Sequence, residues 1–213
     1  MDFFLKENNN FTPFTLQHAI VALFCICFGF ALIVITKKQT NKVQSIIGNV
    51  FAFSICFTVL LGTFVHLYKG NFNIQEDLPL HLCSFLALII PVLSVTKKFV
   101  YYEIFFFLIL AGTLQSLITP DEHNYLNFPF FRYWFVHAGL VVFMFFATFI
   151  YKMRPTLRSV GKSFLGMQAY MLFMFILNYF LGSNYFYTNR KPDVATALDL
   201  FGDWPQYIFV VEI

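Results

Sequence analysis

Two histidines and a cysteine sit within apolar sequence: His81 and Cys83 near the start of one hydrophobic run, and His137 inside another. An imidazole next to a thiol is enough for acyl transfer. The base removes the thiol proton, the thiolate attacks an ester carbonyl, and the same imidazole returns the proton to the leaving group. Cys83 and His137 form one such pair. A cysteine near a helix start also gains from backbone amides that favour the thiolate and can hold an oxyanion. His81 and Cys83 are two residues apart, about 200° around a helix, so only one of them points at a given pocket unless Pro79 delays the helix start. The second chemistry to weigh is metal binding by His81 and His137 with Cys83 or His66. The sequence offers no HExxH or equivalent spacing, and neither a metal nor any other cofactor is expected.

Lipid is the solvent that must position these groups. Hydrophobic residues make up 59% of 213 positions and charged residues 12%, a balance a soluble domain of this size could not cover with water-compatible surface. A membrane crossing needs roughly 20 apolar residues. Six stretches come near that length, at about 15–36, 46–67, 78–95, 99–118, 131–151 and 164–181, separated by charged or Pro, Gly and Asn-bearing connections. Trp204-Pro205 reads as the entrance to a seventh helix, of which Gln206 to Ile213 are present, either as a partial span or as a short interfacial segment. The expectation is therefore an all-α, polytopic membrane helix bundle forming one domain over 1–213, with six complete spans and a partial or truncated seventh. Met1 to Phe14 carries Asp2, Glu7 and an Asn run rather than a basic leader, so the first span is expected to stay as an anchor. The 32 phenylalanines read as lipid-facing and packing residues.

Alternating connections carry unequal positive charge. Lys37, Lys38, Lys42, Lys97, Lys98, Lys152, Arg154, Arg158 and Lys162 fall on one side, nine against the five of Lys6, Lys69, Arg132, Arg190 and Lys191. Basic short loops stay in the cytoplasm, which places the N-terminus outside a cell membrane. All acidic residues except Glu103 and Glu212 fall on the outer side. The net charge of +3 is thus a topogenic signal. A nucleic-acid partner would need a clustered basic face, and membrane lipids are the expected partners instead.

With this orientation His18, His66, His81, Cys83, Gln115, Ser116, His137, Asn178 and Tyr179 come to about the same outer level, a layer that reads as one pocket. His18 and His66 suit ordinary interfacial roles, and His123 a solvated loop. His81 and His137 lie deeper, where they serve either a reaction or interhelical hydrogen bonding. Gln115, Asn178 and Tyr179 are the substrate-side candidates. Arg132 joins them because a guanidinium matches a lipid phosphate in a two-pronged fork, although Arg132 with Tyr133-Trp134 also suits an interfacial anchor. Cys25, Cys27 and Cys56 read as small apolar packing residues.

Several motifs together resemble a known family: Leu78-Pro79-Leu80-His81-Leu82-Cys83, Gly112-Thr113-Leu114-Gln115, Thr119-Pro120-Asp121, Arg132 with His137, Leu181-Gly182-Ser183-Asn184-Tyr185, Arg190-Lys191-Pro192, Asp199-Leu200-Phe201-Gly202 and Trp204-Pro205. From the second span onward the chain looks like the bacterial YwaF-type integral membrane proteins, related to the transmembrane protein 164 family. The resemblance implies a bundle of about seven helices and a lipid-modifying activity, since relatives include a phospholipid acyltransferase with a Cys/His site and, further off, lipid-ester hydrolases using Thr and His. It makes His137 the base and Cys83 the nucleophile, or else sets the family cysteine nearer Leu80, where this chain has none. The function expected is a lipid acyltransferase or lipid ester hydrolase with an outward-facing site. The alternative is a non-enzymatic membrane protein, either a small-solute carrier or a lipid-binding scaffold.

Overall fold

Apolar runs ended by Thr, Asn, Gly and Pro become helices in the computed structural model, which describes residues 5, 10–120, 124–192 and 197–211. α1 (Leu16–Lys37) leads to α2 (Asn41–Lys69), α3 (Leu82–Thr96), α4 (Phe99–Leu108), a π-helical turn (Ile109–Thr113), α5 (Leu114–Ile118), α6 (Phe128–Phe149), α7 (Leu157–Leu181) and α8 (Gln206–Val211). Short 3₁₀ turns occupy Tyr185–Tyr187 and Ala197–Phe201. No strand occurs among the described residues. Local chemistry sets the boundaries. Thr40 accepts from the Val43 amide, Asn127 accepts from the Phe130 amide with Pro129 beside it, and Thr156 and Ser159 cap each other's backbone. Gly70 and Gly182, at φ of 69° and 65°, close α2 and α7 in the left-handed conformation that other residues resist.

Among the described residues, five helices are long and apolar enough to cross a membrane: α1, α2, the continuous Phe99–Ile118 run, α6 and α7. The sequence reading of six full spans needs correcting at the third. Residues 78–81 are not helical, and α3 has 15 residues, about three quarters of a full crossing. The cause is local. Pro79 cannot supply an amide, and His81 is extended at φ −67°, ψ 148°, so the helix starts only at Leu82. Over 204–213, the described helix is the six-residue α8.

The elements run up and down, giving the bundle two ends. One, the loop-70 end, holds the starts of α1, α3 and α6 and the ends of α2, α5 and α7. There Gln75 donates to Leu181 O at 3.0 Å, and His18 Nε2 meets Leu117 O at 2.9 Å. The opposite end is pinned by polar pairs. Ser94 donates to Asn49 at 2.8 Å, Tyr102 bonds Thr148 at 2.8 Å, and the buried Glu103 carboxylate takes Ser159 at 3.1 Å and the Lys162 ammonium. Ser163 caps the Glu103 and Ile104 carbonyls. Between the ends, Ile55, Val59, Leu86, Ile90, Leu140, Phe143 and Met144 form a fully enclosed core of α2, α3 and α6. Gly62 lets α6 come close, since a Cβ there would lie 2.3 Å from Arg132 Nε.

Lys162→Ala should sharply lower the unfolding temperature in detergent, because it strands a buried carboxylate. Adding Glu103→Leu should restore part of the loss. A double variant no more stable than Lys162→Ala would show that the pair contributes nothing to holding α7 on α4.

Candidate functional site

The late start of α3 determines where His81 and Cys83 go. Non-helical backbone at membrane depth must find partners inside the protein, and two tyrosines supply them. The Tyr170 hydroxyl donates to Leu80 O, while Tyr185 accepts from the Leu78 amide at 3.0 Å and donates to Ile74 O at 2.7 Å. Burial pushes the Tyr185 phenol up from its ordinary value, so it keeps the proton that it donates. His81, now the residue before the helix, turns its ring to Tyr185 and Tyr187, with centroids 5.4 and 5.1 Å away. Cys83, inside the first turn, places Sγ 3.4 Å from Thr113 Oγ1. The two former rivals thus face different neighbourhoods.

Thr113 is fully buried and closes the π-helical turn. Such turns insert one extra residue into a helix and often mark working sites. Sequence reasoning named Thr113 within a family motif but gave it no role. Its only signal was the Gly112-Thr113 pair interrupting an apolar run, and Gly112 lets the chain approach Leu82, whose Cδ2 would lie 2.9 Å from a Cβ there. The π turn, α3 and α6 pack pairwise, and α6 carries His137. His137 Nδ1 lies 2.8 Å from the Tyr133 carbonyl, which can only accept, so Nδ1 carries a proton and, when the ring is neutral, the lone pair is on Nε2. Tyr133 stacks on this ring at 4.2 Å and donates its hydroxyl to Ser116 O at 2.6 Å, fixing the imidazole against α5.

His18 shows the opposite arrangement. Its Nδ1 accepts from the Phe14 amide at 3.1 Å and its Nε2 donates to Leu117 O, so both nitrogens serve structure. His66 Nδ1 sits 3.2 Å from Asp77, at the end of α2. Asp121, Glu122 and His123 lie outside the described residues. Among those described, no three His, Cys, Asp or Glu side chains lie close enough to hold a metal.

The substrate-side candidates are dispersed. Arg132 lies on the α2 side of α6, over Gly62. Gln115 is exposed on α5 beside Ala111 and Ile118. Tyr179 is 84% exposed on the lipid-facing side of α7. Asn178, its neighbour, is 1% exposed and spends its whole amide on the chain that follows. Nδ2 donates to Tyr185 O at 2.8 Å and Thr188 Oγ1 at 2.7 Å, while Oδ1 accepts from Ser183 Oγ at 2.6 Å and the Tyr185 amide at 2.9 Å. This knot holds Phe186 and Tyr187 at φ of 59° and 52°, a conformation bulky residues resist. Tyr187 thereby reaches His81.

An unwound helix start, a π turn and a tautomer-fixed histidine on three packed elements of an apolar bundle accompany a sequence-level match: the TMEM164 family model covers residues 13–213. The chain belongs to the TMEM164 family. It is a multi-pass integral membrane protein whose apolar helices contact lipid. No curated protein and no solved structure matches it.

Asn178→Ala leaves four groups without partners and should cost about 3 kcal/mol of stability. A thermal scan in detergent should show a clear fall in midpoint. An unchanged midpoint would mean that the knot does not hold the 183–188 hairpin.

Proposed function

We propose that this TMEM164 family member, of the bacterial YwaF type, is a lipid acyltransferase or lipid ester hydrolase with His137 as base and Cys83 as nucleophile. The observation that carries the reading is the His137 tautomer: its Nδ1 proton is committed to Tyr133 O, leaving Nε2 as the basic nitrogen on a helix packed against the elements of Cys83 and Thr113. Nε2 takes the thiol proton as Sγ attacks the ester carbonyl carbon. The carbonyl oxygen becomes an oxyanion beside the α3 start, where no side-chain cap occupies the amides among the described residues. When the C–O bond breaks, the imidazolium returns its proton to the leaving alkoxide, and the acyl group remains on Sγ. A second hydroxyl then attacks the thioester, from another lipid in transfer or from water in hydrolysis, with His137 taking its proton and handing it to the sulfur. The Thr113 hydroxyl, 3.4 Å from Sγ, positions the thiol.

Arg132 is assigned to the substrate phosphate, and Gln115 and Tyr179 to its exposed edges. Asn178 acts by shaping the wall, and His81 works beside Tyr187 as part of the substrate-facing surface. The protein lies in the cell membrane with the N-terminus and the loop-70 end outside. Two apolar grooves favour a second reading, a lipid-binding scaffold without turnover. They flank α1, with volumes of about 380 and 430 Å³, and share Cys25, Trp134, Ala138 and Val142.

Purified protein should release or transfer acyl chains from a glycerophospholipid. His137→Ala and Cys83→Ala should each reduce the rate at least ~100-fold, the scale of a lost acid–base group. Turnover that persists in both variants, with fold intact, would remove the Cys/His mechanism and leave the scaffold. For orientation, single cysteines introduced at Asn73 and Lys152 should react with an impermeant maleimide on whole cells only at residue 73. Labelling confined to residue 152 would invert the topology.

A further inference from the structure

The α2–α3 loop and the hairpin after α7 enclose a cleft of about 330 Å³ that differs in kind from the grooves along α1. Its walls are mainly polar, with His81, Gln75 and Glu76 on one side and Tyr187, Arg190 and Lys191 on the other. We propose that this cleft binds the phosphodiester head group of a membrane lipid, with the phosphate on Arg190 and His81.

Three observations carry the assignment. First, Arg190 is available: among the described residues its guanidinium has no ion pair or hydrogen-bond partner, while Lys191 stands 3.9 and 3.6 Å from Asp199 and Asp203. A guanidinium fork matches two phosphate oxygens, and a solvent-facing arginine at the edge of an apolar bundle meets head groups before anything else. Second, the cleft is built before any ligand arrives. Asn184 Oδ1 accepts from the Asn189 and Arg190 amides at 3.0 and 3.2 Å, and its Nδ2 donates to Arg190 O at 2.9 Å. Asn189 Nδ2 reaches Ser183 O at 3.0 Å, and Gln75 ties the facing loop to Leu181 O. Arg190 therefore projects from a cross-braced hairpin, so little ordering is left for binding to do. Third, the depth is right. The cleft opens at Gly182, where α7 ends, and Tyr179 and Phe180, both largely exposed, bring a lipid-facing surface to its rim. Chains can lie against α7 while the head group enters. Glu76 adds a carboxylate, so the cleft suits a monoanionic phosphodiester better than a phosphate dianion.

The cleft shares His81 and Tyr187 with the substrate-facing surface assigned above, but its test reads binding alone, so it can fail while the acyl chemistry stands. Full-length Cys83→Ala protein in detergent would be titrated with phosphatidylglycerol, with diacylglycerol of the same chains, and with inorganic phosphate, and bound lipid counted by native mass spectrometry. Phosphatidylglycerol should be retained and diacylglycerol not. Arg190→Gln should weaken retention about tenfold, and Arg190→Lys should recover part of it. His81→Gln should weaken it further. Excess inorganic phosphate should displace little lipid. Equal retention of both lipids, or full retention by Arg190→Gln, would overturn the site. Full displacement by inorganic phosphate would make free phosphate the ligand and overturn the lipid assignment.

Discussion

A backbone carbonyl or amide in hydrocarbon has no water to turn to, and the architecture follows from that constraint. Helices satisfy it automatically along most of this chain. Two places where the chain leaves the helix take side chains as partners: Tyr170 and Tyr185 for the lead-in at 78–81, and Asn178 for the hairpin at 183–188. These departures also carry chemically capable residues. His81 precedes a delayed helix, Thr113 closes a π turn, and Tyr187 sits in a strained hairpin. Helical backbone provides rigidity, and its interruptions carry several of the candidate residues.

Much of this was legible in the sequence. Apolar length located the spans of α1, α2, Phe99–Ile118, α6 and α7, because twenty apolar residues in a row have few other uses. The third span was read too long because hydropathy counts Leu78 and Leu80 as membrane residues, whereas Pro79 and two tyrosine partners make them non-helical. The possibility that Pro79 delays the helix was visible, but the delay does not bring His81 and Cys83 to one pocket: the first meets Tyr185 and Tyr187, the second Thr113. Depth along a helix placed Gln115, Asn178 and Tyr179 at one level, but depth carries no information about azimuth. Asn178 and Tyr179 are adjacent, and one is enclosed while the other faces lipid. Thr113 was visible in a motif, but its place at the close of a π turn was not, since such a turn has no residue signature of its own.

The two ends of the bundle handle polarity differently. At the end with Glu103, buried groups pair with one another: the carboxylate with Ser159 and Lys162, Ser94 with Asn49, Tyr102 with Thr148. Such closed networks hold helices in register and leave little for a ligand to gain. The loop-70 end combines satisfied groups such as His18 with a solvent-facing guanidinium and a tautomer-fixed imidazole. That asymmetry sets the loop-70 end apart as the candidate binding end.

The π turn also acts as a gear. Removing its surplus residue would let Ile109–Thr113 relax into ordinary helix and swing all of α5 by roughly 100° about its axis. Ser116 would then leave the Tyr133 hydroxyl, and Leu117 would leave the His18 ring, at the same moment. One residue of helical phase therefore sets the alignment of α1, α5 and α6 together, and any lengthening or shortening of that segment would be felt at the imidazole of His137.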